Sequence, residues 1–272
     1  MELDGAVALV LGGTKGIGKA VGLALAGAGA RVVLTCHSDW PEESQRMQEE
    51  LAALSGDHLA VQADLRKPRE IEKLFAAIRA RYGSLHILIN NIERGGMPVV
   101  HGPYTPAQWE LEMATTLRAK WWVMRSALPL LKEAEQGAVI TFSSIAGLVG
   151  RSGPAALLFN DGYAAANRAV SSWTETWARE GAPTVRVNEL MLGIFETRHG
   201  EGTRGWDLLS AEERQAILDH TLLGRTGRME EIIRTVFYLL REATYMTGSV
   251  IRMDGGYVLG GEPVPPLPAG VV

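Results

Sequence analysis

The stretch Leu9-Val10-Leu11-Gly12-Gly13-Thr14-Lys15-Gly16-Ile17-Gly18-Lys19-Ala20 decides the fold of this chain. An apolar run precedes the glycines and predicts a buried parallel strand, and a helical apolar pattern through Val21 and Leu25 follows them. Glycine tolerates positive φ angles and lets the backbone approach a ligand closely. The first N–H groups and the dipole of the following helix attract a phosphate. The stretch therefore predicts a pyrophosphate-binding turn, with a tight strand–helix turn that binds nothing as the alternative.

Length and composition favour one large α/β domain. The chain has 272 residues, 46% of them hydrophobic and 21% charged, with a formal net charge of −4, which predicts no nucleic-acid or membrane partner. Cys36 is the single cysteine, so no intrachain disulfide is possible, and a cytoplasmic location is expected. The first residues carry no basic segment typical of a signal peptide. The six histidines are scattered and no metal-binding motif is present, so we expect no metal site.

Strand and helix patterns alternate along the whole chain. This alternation predicts an α/β fold with a single doubly wound, Rossmann-type parallel sheet of about seven strands and helices on both faces, with ligands at the carboxyl ends of the strands. The predicted strands lie at residues 6–11, 31–35, 59–61, 85–89, 138–142, 185–187 and 250–251. The predicted helices follow the glycine turn and cover residues from 41, from 68, 106–131, 162–180, 210–220 and 230–240.

We expect one domain over residues 1–260. Residues 194–226 form the longest irregular stretch and are expected to close over a substrate. Residues 261–272 form a Pro-rich tail that cannot continue a helix or a central strand.

Short motifs after several predicted strands occur in a familiar order, and together they resemble the short-chain dehydrogenase/reductase family over nearly the whole chain. The matching residues are Gly12, Gly16 and Gly18, Asp64-Leu65, Asn90-Asn91, Ser143-Ser144, Tyr163, Arg186-Val187-Asn188, Gly193, Thr197, Thr247-Gly248 and Asp254-Gly255-Gly256.

The resemblance implies a site for NAD(P)(H). The residues expected to bind this cofactor are Gly12, Thr14, Lys15, Gly16, Ile17, Gly18, His37, Asp64, Leu65, Asn91, Gly193 and Thr197. Asp64 alone could instead be an ordinary turn residue at a strand end. Cys36 and His37 stand where NAD enzymes carry an acid, which together with Lys15 favours NADP(H) over NAD(H), although Asp39 lies nearby.

The catalytic pattern of the family is only partly matched. Ser144 and Tyr163 match its serine and tyrosine, but Asn167 stands where the lysine belongs and Thr116 where the asparagine belongs. The segment at 151–162 is longer than usual, which leaves the register of Tyr163 open. Ile92-Glu93 replaces the Ala-Gly that follows Asn90-Asn91 in the family.

Loss of the lysine has a physical consequence for the tyrosine. A nearby cation lowers the pKa of a tyrosine from about 10. Without one the tyrosine stays neutral and still donates a proton, so carbonyl reduction suffers less than alcohol oxidation. Lys120 and Arg168 are conceivable substitute cations, but a solvated surface position is expected for each.

Two hypotheses follow. The first is an NADP(H)-dependent oxidoreductase that reduces a carbonyl or a conjugated alkene, with Tyr163 as proton donor and a small molecule as substrate. The second is a degenerate member of the family without redox activity, acting as a lyase or isomerase through Ser144, Tyr163 and Glu93, or as a binding or scaffold protein. The resemblance also implies a homodimer or homotetramer.

Overall fold

Seven apolar segments form one parallel sheet in the computed structural model, which describes residues 1–93, 104–196, 206, 208–261, 264–268 and 270. The strands are β1 Val7–Val10, β2 Arg31–Cys36, β3 Leu59–Gln62, β4 Ile87–Asn90, β5 Gly137–Ser144, β6 Val185–Leu192 and β7 Val250–Met253. They lie in the order β3-β2-β1-β4-β5-β6-β7, and every neighbouring pair is parallel. This confirms the predicted doubly wound α/β fold.

Helices connect the strands and cover both faces of the sheet. They are α1 Gly16–Gly27, α2 Pro41–Ala52, α3 Pro68–Tyr82, α4 Pro106–Glu112, α5 Ala119–Lys132, α6 Ala146–Val149, α7 Asp161–Gly181, α8 Ala211–His220 and α9 Met229–Arg241. A π-helical segment, Met113–Arg118, joins α4 to α5 without a break. Two 3₁₀ turns lie at Pro154–Leu158 and Tyr257–Leu259.

Two hydrophobic layers explain why the central strands are apolar along their whole length. Helices α1, α2 and α9 pack on one face through residues such as Leu25, Met47 and Val236. Helices α3, α5 and α7 pack on the other face, where Val123 and Trp177 are buried. A strand buried on both faces has no polar side to present, so it becomes a continuous run of branched apolar residues.

The order in which successive strands are added to the sheet reverses at β1. This strand pairs with β2 on one side and with β4 on the other, so that Leu9 faces Val33 and Leu88. The loops that leave β1 and β4 therefore diverge and open a crevice at the carboxyl edge, where open α/β sheets bind ligands. Most of the described candidate site residues lie at this edge.

Two features of the region around the crevice differ from the simple alternation. The 3₁₀ turn at Pro154–Leu158 occupies part of the long segment at 151–162, and helix α6 lies just before this segment; each is too short to show a helical period in the sequence.

None of the described helices combines the length and the apolar character that crossing a bilayer requires. Within the described ranges, histidine, cysteine and acidic side chains form no cluster of three suited to a metal ion.

Candidate active site

A cleft of about 670 Å³ follows the carboxyl edge of the sheet, from the loops after β2 and β3 to the start of α7. Most of the sequence-predicted site residues line it: Gly12, Thr14, Lys15, Gly16, Ile17, His37, Asp64, Leu65, Asn91, Ser144, Tyr163 and Gly193. Gly18, Thr116 and Asn167 do not line the cleft, and Thr197 lies outside the described residues. The fold thus brings the predicted cofactor turn and the predicted catalytic pair into one cavity.

The glycine turn is held by the neighbouring strand and leaves no room for side chains. Thr35 accepts hydrogen bonds from the backbone of Gly12 and Gly13, at 3.0 Å to its Oγ1 and 2.8 Å to its carbonyl oxygen. Gly12 has a φ of +66°, and a Cβ there would lie 2.5 Å from the Asn91 carbonyl oxygen. A Cβ on Gly18 would lie 2.2 Å from the Gly12 carbonyl oxygen. The close packing therefore holds the backbone of the turn and the start of α1 against the cleft.

Charged side chains gather where β2 and β3 end. Arg66 donates from Nε and one terminal nitrogen to the Asp64 carboxylate, at 2.8 and 2.9 Å. Lys67 Nζ lies 3.3 Å and His37 Nε2 3.8 Å from the same carboxylate. The hydrogen bond from Arg66 holds the pKa of Asp64 well below its ordinary value. The sequence analysis missed Arg66, although a basic residue two positions after a strand-end aspartate suggests such a pair.

The Asp64 pairing makes the stability of the protein depend on pH. Because the pKa of Asp64 is lowered in the folded state, its carboxylate stabilises the fold above the unfolded pKa of about 3.9, and this contribution disappears as the pH falls below that value. We expect Asp64→Asn to lower the free energy of unfolding by about 1 kcal/mol at neutral pH. The difference from the unmodified protein should vanish in acid, as measured by denaturant unfolding at several pH values. Asp57→Asn is the control: Asp57 pairs with Arg81 on the surface, so this substitution should lower the free energy of unfolding by less. If Asp64→Asn remains less stable than the unmodified protein in acid, ionised Asp64 is not the source of the stabilisation.

Tyr163 and Ser144 occupy the opposite end of the cleft. Tyr163 lies in the first turn of α7, where the Asn160 side chain accepts from its backbone N–H at 2.7 Å. Ser144 ends β5, and its Oγ accepts from the Ala146 N–H at 3.1 Å. The Ser144 hydroxyl is close enough to interact with the Tyr163 hydroxyl and to favour its ionised form. The two hydroxyl groups are therefore adjacent, as a shared acceptor oxygen from a ligand requires.

Asn167 faces the protein interior and is fully buried. Its Oδ1 accepts from the Ser144 N–H and its Nδ2 donates to the Tyr163 carbonyl oxygen, both at 3.0 Å. These bonds join the end of β5 to the first turn of α7. Asn167 therefore holds Ser144 and Tyr163 in position and does not itself line the cleft.

Thr116 lies in the π-helical segment and is also fully buried. Its hydroxyl donates a short hydrogen bond to the carboxylate of Glu112, which is itself buried. A π segment widens a helix locally and occurs often at functional sites. Thr116 therefore belongs to the wall behind the cleft.

Lys120 is fully buried, so the expectation that it lies solvated on the surface is wrong. Its Nζ donates to the Phe142 carbonyl oxygen at 2.8 Å and to Glu93 Oε1 at 3.2 Å. Lys120 lies in the first turn of α5. This turn packs against the sheet and directs the lysine side chain toward the end of β5. Arg168, the other conceivable cation, is exposed as expected.

Glu93 joins Lys120 to Tyr163. The Tyr163 hydroxyl donates to Glu93 Oε2 at 3.1 Å, and the Glu93 side chain retains 24% exposure to the cleft. Burial, and then the adjacent Glu93 carboxylate, raises the pKa of Tyr163 well above its ordinary value. Tyr163 is therefore protonated at neutral pH.

A further buried acid lies on the next strand. Ser143, Ser171 and Thr174 donate their hydroxyls to the carboxylate of Glu189 on β6. Burial raises the pKa of Glu189 despite these bonds. The network ties β5, β6 and α7 together beneath Ser144.

Comparisons with known proteins agree with this geometry. A family model described as enoyl-(acyl carrier protein) reductase matches residues 12–258. The 3-oxoacyl-[acyl-carrier-protein] reductase FabG of Vibrio cholerae is 33% identical over 260 residues, which cover 94% of this chain and 98% of the relative. The protein of the same name from Thermotoga maritima is 29% identical over 263 residues, covering 95% of this chain and all of the relative.

Solved structures show the same similarity. A Sinorhizobium meliloti protein provisionally described as a short-chain alcohol dehydrogenase superposes with a TM-score of 0.81 at 25% identity, over 96% of this chain and all of the other.

Proposed function

Because this chain belongs to the short-chain dehydrogenase/reductase family, we propose that it is an NADP(H)-dependent reductase of a small-molecule carbonyl compound. The observation that carries the proposal is that Tyr163 and Ser144 line the same cleft as the glycine turn. The similarity to 3-oxoacyl-[acyl-carrier-protein] reductases makes 3-oxoacyl thioesters the first substrates to test. A conjugated alkene is the second substrate class to test, because the matching family model is described as an enoyl reductase.

The residues present suit a dinucleotide. A cradle in which a Cβ on Gly12 or Gly18 would collide with backbone gives the pyrophosphate direct access to main-chain N–H groups. We propose that Gly12, Gly16 and the start of α1 hold the pyrophosphate and that Asp64 and Leu65 lie by the adenine. Gly193, and Thr197 by resemblance, would border the nicotinamide, which supplies the hydride when it is bound.

In the proposed mechanism, the protein supplies the proton and polarises the carbonyl group. Ser144 donates a hydrogen bond to the substrate oxygen, and Tyr163 transfers its proton to the same oxygen. Asn167 stands where the family places its lysine, and Thr116 where it places its asparagine; we propose that both act by holding Ser144, Tyr163 and the helix wall in position.

We propose a preference for NADP(H) because basic side chains lie at the end of the cleft opposite Tyr163. Lys15, His37 and Arg66 line the end near β2, where a 2′-phosphate would lie. Lys15 Nζ lies over the Trp40 ring and 3.8 Å from Glu43. A charge-assisted hydrogen bond to a phosphate contributes more than one to a neutral hydroxyl.

Lys15→Met is therefore expected to raise the Kd for NADPH about tenfold and to leave the Kd for NADH nearly unchanged. The measurement is a titration that follows nicotinamide fluorescence. Lys19→Met is the matched control, because Lys19 lies in the first turn of α1, does not line the cleft and pairs with Glu50. Equal loss of affinity for the two cofactors would exclude a role of Lys15 at the 2′-phosphate.

One observation favours the second hypothesis. Glu93 places a carboxylate beside the Tyr163 hydroxyl, at the end of the cleft proposed for the nicotinamide. A carboxylate next to a tyrosine suits proton abstraction without hydride transfer, as in a lyase or isomerase. Titration of the purified protein with NADPH and NADH separates the two functions. Binding supports the reductase, and failure of both to bind at millimolar concentration contradicts it.

We also propose a homo-oligomer paired through the two long helices, α4–α5 and α7. Trp121 and Trp173 are partly exposed on these helices. Analytical ultracentrifugation tests this, with a monomer as the contradicting result.

A further inference from the structure

A cation and an anion face each other behind Tyr163, and the proposed mechanism above uses neither. Lys120 Nζ has 0% exposure and two hydrogen-bond acceptors, the Phe142 carbonyl oxygen and the Glu93 carboxylate. A buried ammonium group is costly unless it is paired in this way. Its position is therefore built into the fold by α5 and β5 and does not depend on a ligand.

We infer that Lys120 and Glu93 are positioning residues for Tyr163: Lys120 fixes the Glu93 carboxylate, and Glu93 fixes the Tyr163 hydroxyl in its proton-donating form. The inference deepens the proposed function and rests on it for the reaction itself. Lys120, on the helix that continues from the π segment of Thr116, then supplies the cation of the site. It takes the place of a lysine four residues after the tyrosine.

The chemistry of the hydrogen bond carries this inference. An ionised carboxylate can only accept hydrogen bonds, so the 3.1 Å contact to Glu93 Oε2 requires a proton on the Tyr163 oxygen. The ammonium group of Lys120 occupies Oε1 of the same carboxylate. Because both of its oxygens are hydrogen-bonded, the Glu93 carboxylate is held in one orientation relative to the Tyr163 hydroxyl.

Among the described residues, several charged groups lie around Tyr163. Glu93 follows β4, Glu112 ends α4 and Lys120 lies on α5. Glu189 on β6 lies near Lys120. The two carboxylates that act on Tyr163, Glu93 and Glu112, both oppose its ionisation, and removal of Glu93 leaves Lys120 as the nearest charge of the pair.

The consequence for the reaction is a neutral proton donor that keeps its proton into alkaline solution. The Tyr163 O–H would turn from Glu93 to the substrate oxygen and transfer its proton there, while the carbonyl carbon would accept the hydride that a bound nicotinamide supplies. The resulting phenolate is restored by a proton from solvent, which reaches the cleft beside the partly exposed Glu93. We expect reduction to persist to higher pH than it would without Glu93.

The test is a titration of phenolate absorbance in which the spectrum of Tyr163→Phe is subtracted to isolate Tyr163. In the unmodified protein, Tyr163 should ionise above the ordinary tyrosine range, or not before unfolding. Glu93→Gln should bring the ionisation down by about one pH unit or more, a tenfold change in the equilibrium. Lys120→Met should raise it, and Lys120→Arg should keep it near the original value.

Glu133→Gln is the matched control, because Glu133 forms an exposed pair with Arg79 at the far end of α5 and should leave Tyr163 unchanged. The alkaline limb of kcat/KM for carbonyl reduction should move with the titration in each variant. Loss of stability without a shift in either readout would show a purely structural pair and overturn the inference. So would a Glu93→Gln protein in which Tyr163 ionises as before or not at all. A shifted titration without any reductase activity would instead contradict the proposed function alone.

Discussion

Tyr163→Phe is expected to lower the turnover number for carbonyl reduction about a thousandfold, within the range lost when a positioned general acid is removed. The substitution deletes one oxygen atom. That oxygen donates to Glu93 and interacts with Ser144, and the residue lines the cleft. The aromatic ring keeps its stacked contact with Phe159, so the first turn of α7 should remain in place. Steady-state consumption of NADPH with a reducible carbonyl substrate measures the effect.

Cofactor binding separates this prediction from a folding defect. Tyr163→Phe should bind NADPH with nearly unchanged affinity, because the glycine turn lies at the other end of the cleft. Tyr82→Phe is the matched control, since the Tyr82 hydroxyl donates to the Asp57 carbonyl oxygen near the surface and does not line the cleft. Retention of more than about a tenth of the turnover in Tyr163→Phe would remove Tyr163 from the role of proton donor.

Gly18→Ala is expected to weaken NADPH binding about a hundredfold. The added Cβ would lie 2.2 Å from the Gly12 carbonyl oxygen and 2.9 Å from Asn91 Nδ2. Backbone must move to relieve that contact, and the turn and the start of α1 then lose the alignment that the pyrophosphate needs. Overpacking of this kind also lowers the free energy of unfolding by about 1–3 kcal/mol. Fluorescence titration and denaturant unfolding measure the two effects.

Gly27→Ala is the matched control on the same helix. No atom lies within 4 Å of a Cβ built at Gly27, so this variant should bind NADPH normally. Its stability should be unchanged or slightly higher, because alanine favours a helix over glycine. If Gly18→Ala binds as tightly as Gly27→Ala, the turn is not the pyrophosphate site.

Much of the fold was predictable because it rests on local patterns. The apolar strands and the stripe of Ile71, Leu74 and Ile78 on α3 show their periods directly, and the structure confirms these elements. The sequence also predicts a helix over residues 210–220, and the structure has α8 at Ala211–His220. The short α6 and the 3₁₀ turns escaped because three to five residues cannot display a period.

The site was predictable only where a motif carries it. Gly12 and Gly16 of the glycine turn line one cleft together with Ser144 and Tyr163. Lys120 could not be assigned from sequence, because its burial depends on how the π segment turns α5 toward Phe142 and Glu93. A lone lysine on an amphipathic helix is ordinarily solvated. Three-dimensional packing, which brings residues 93, 120 and 163 together, supplies what the sequence does not show.

The most direct test of the proposed reductase is to incubate the purified protein with a 3-oxoacyl thioester and NADPH that carries deuterium at the transferable position. We predict consumption of NADPH and a 3-hydroxyacyl product with deuterium on the carbinol carbon, with both signals lost in Tyr163→Phe. Tight binding of NADPH without transfer of deuterium to any carbonyl or enone substrate would contradict the account. The carboxylate of Glu93 would then be the first residue to examine for chemistry without hydride transfer.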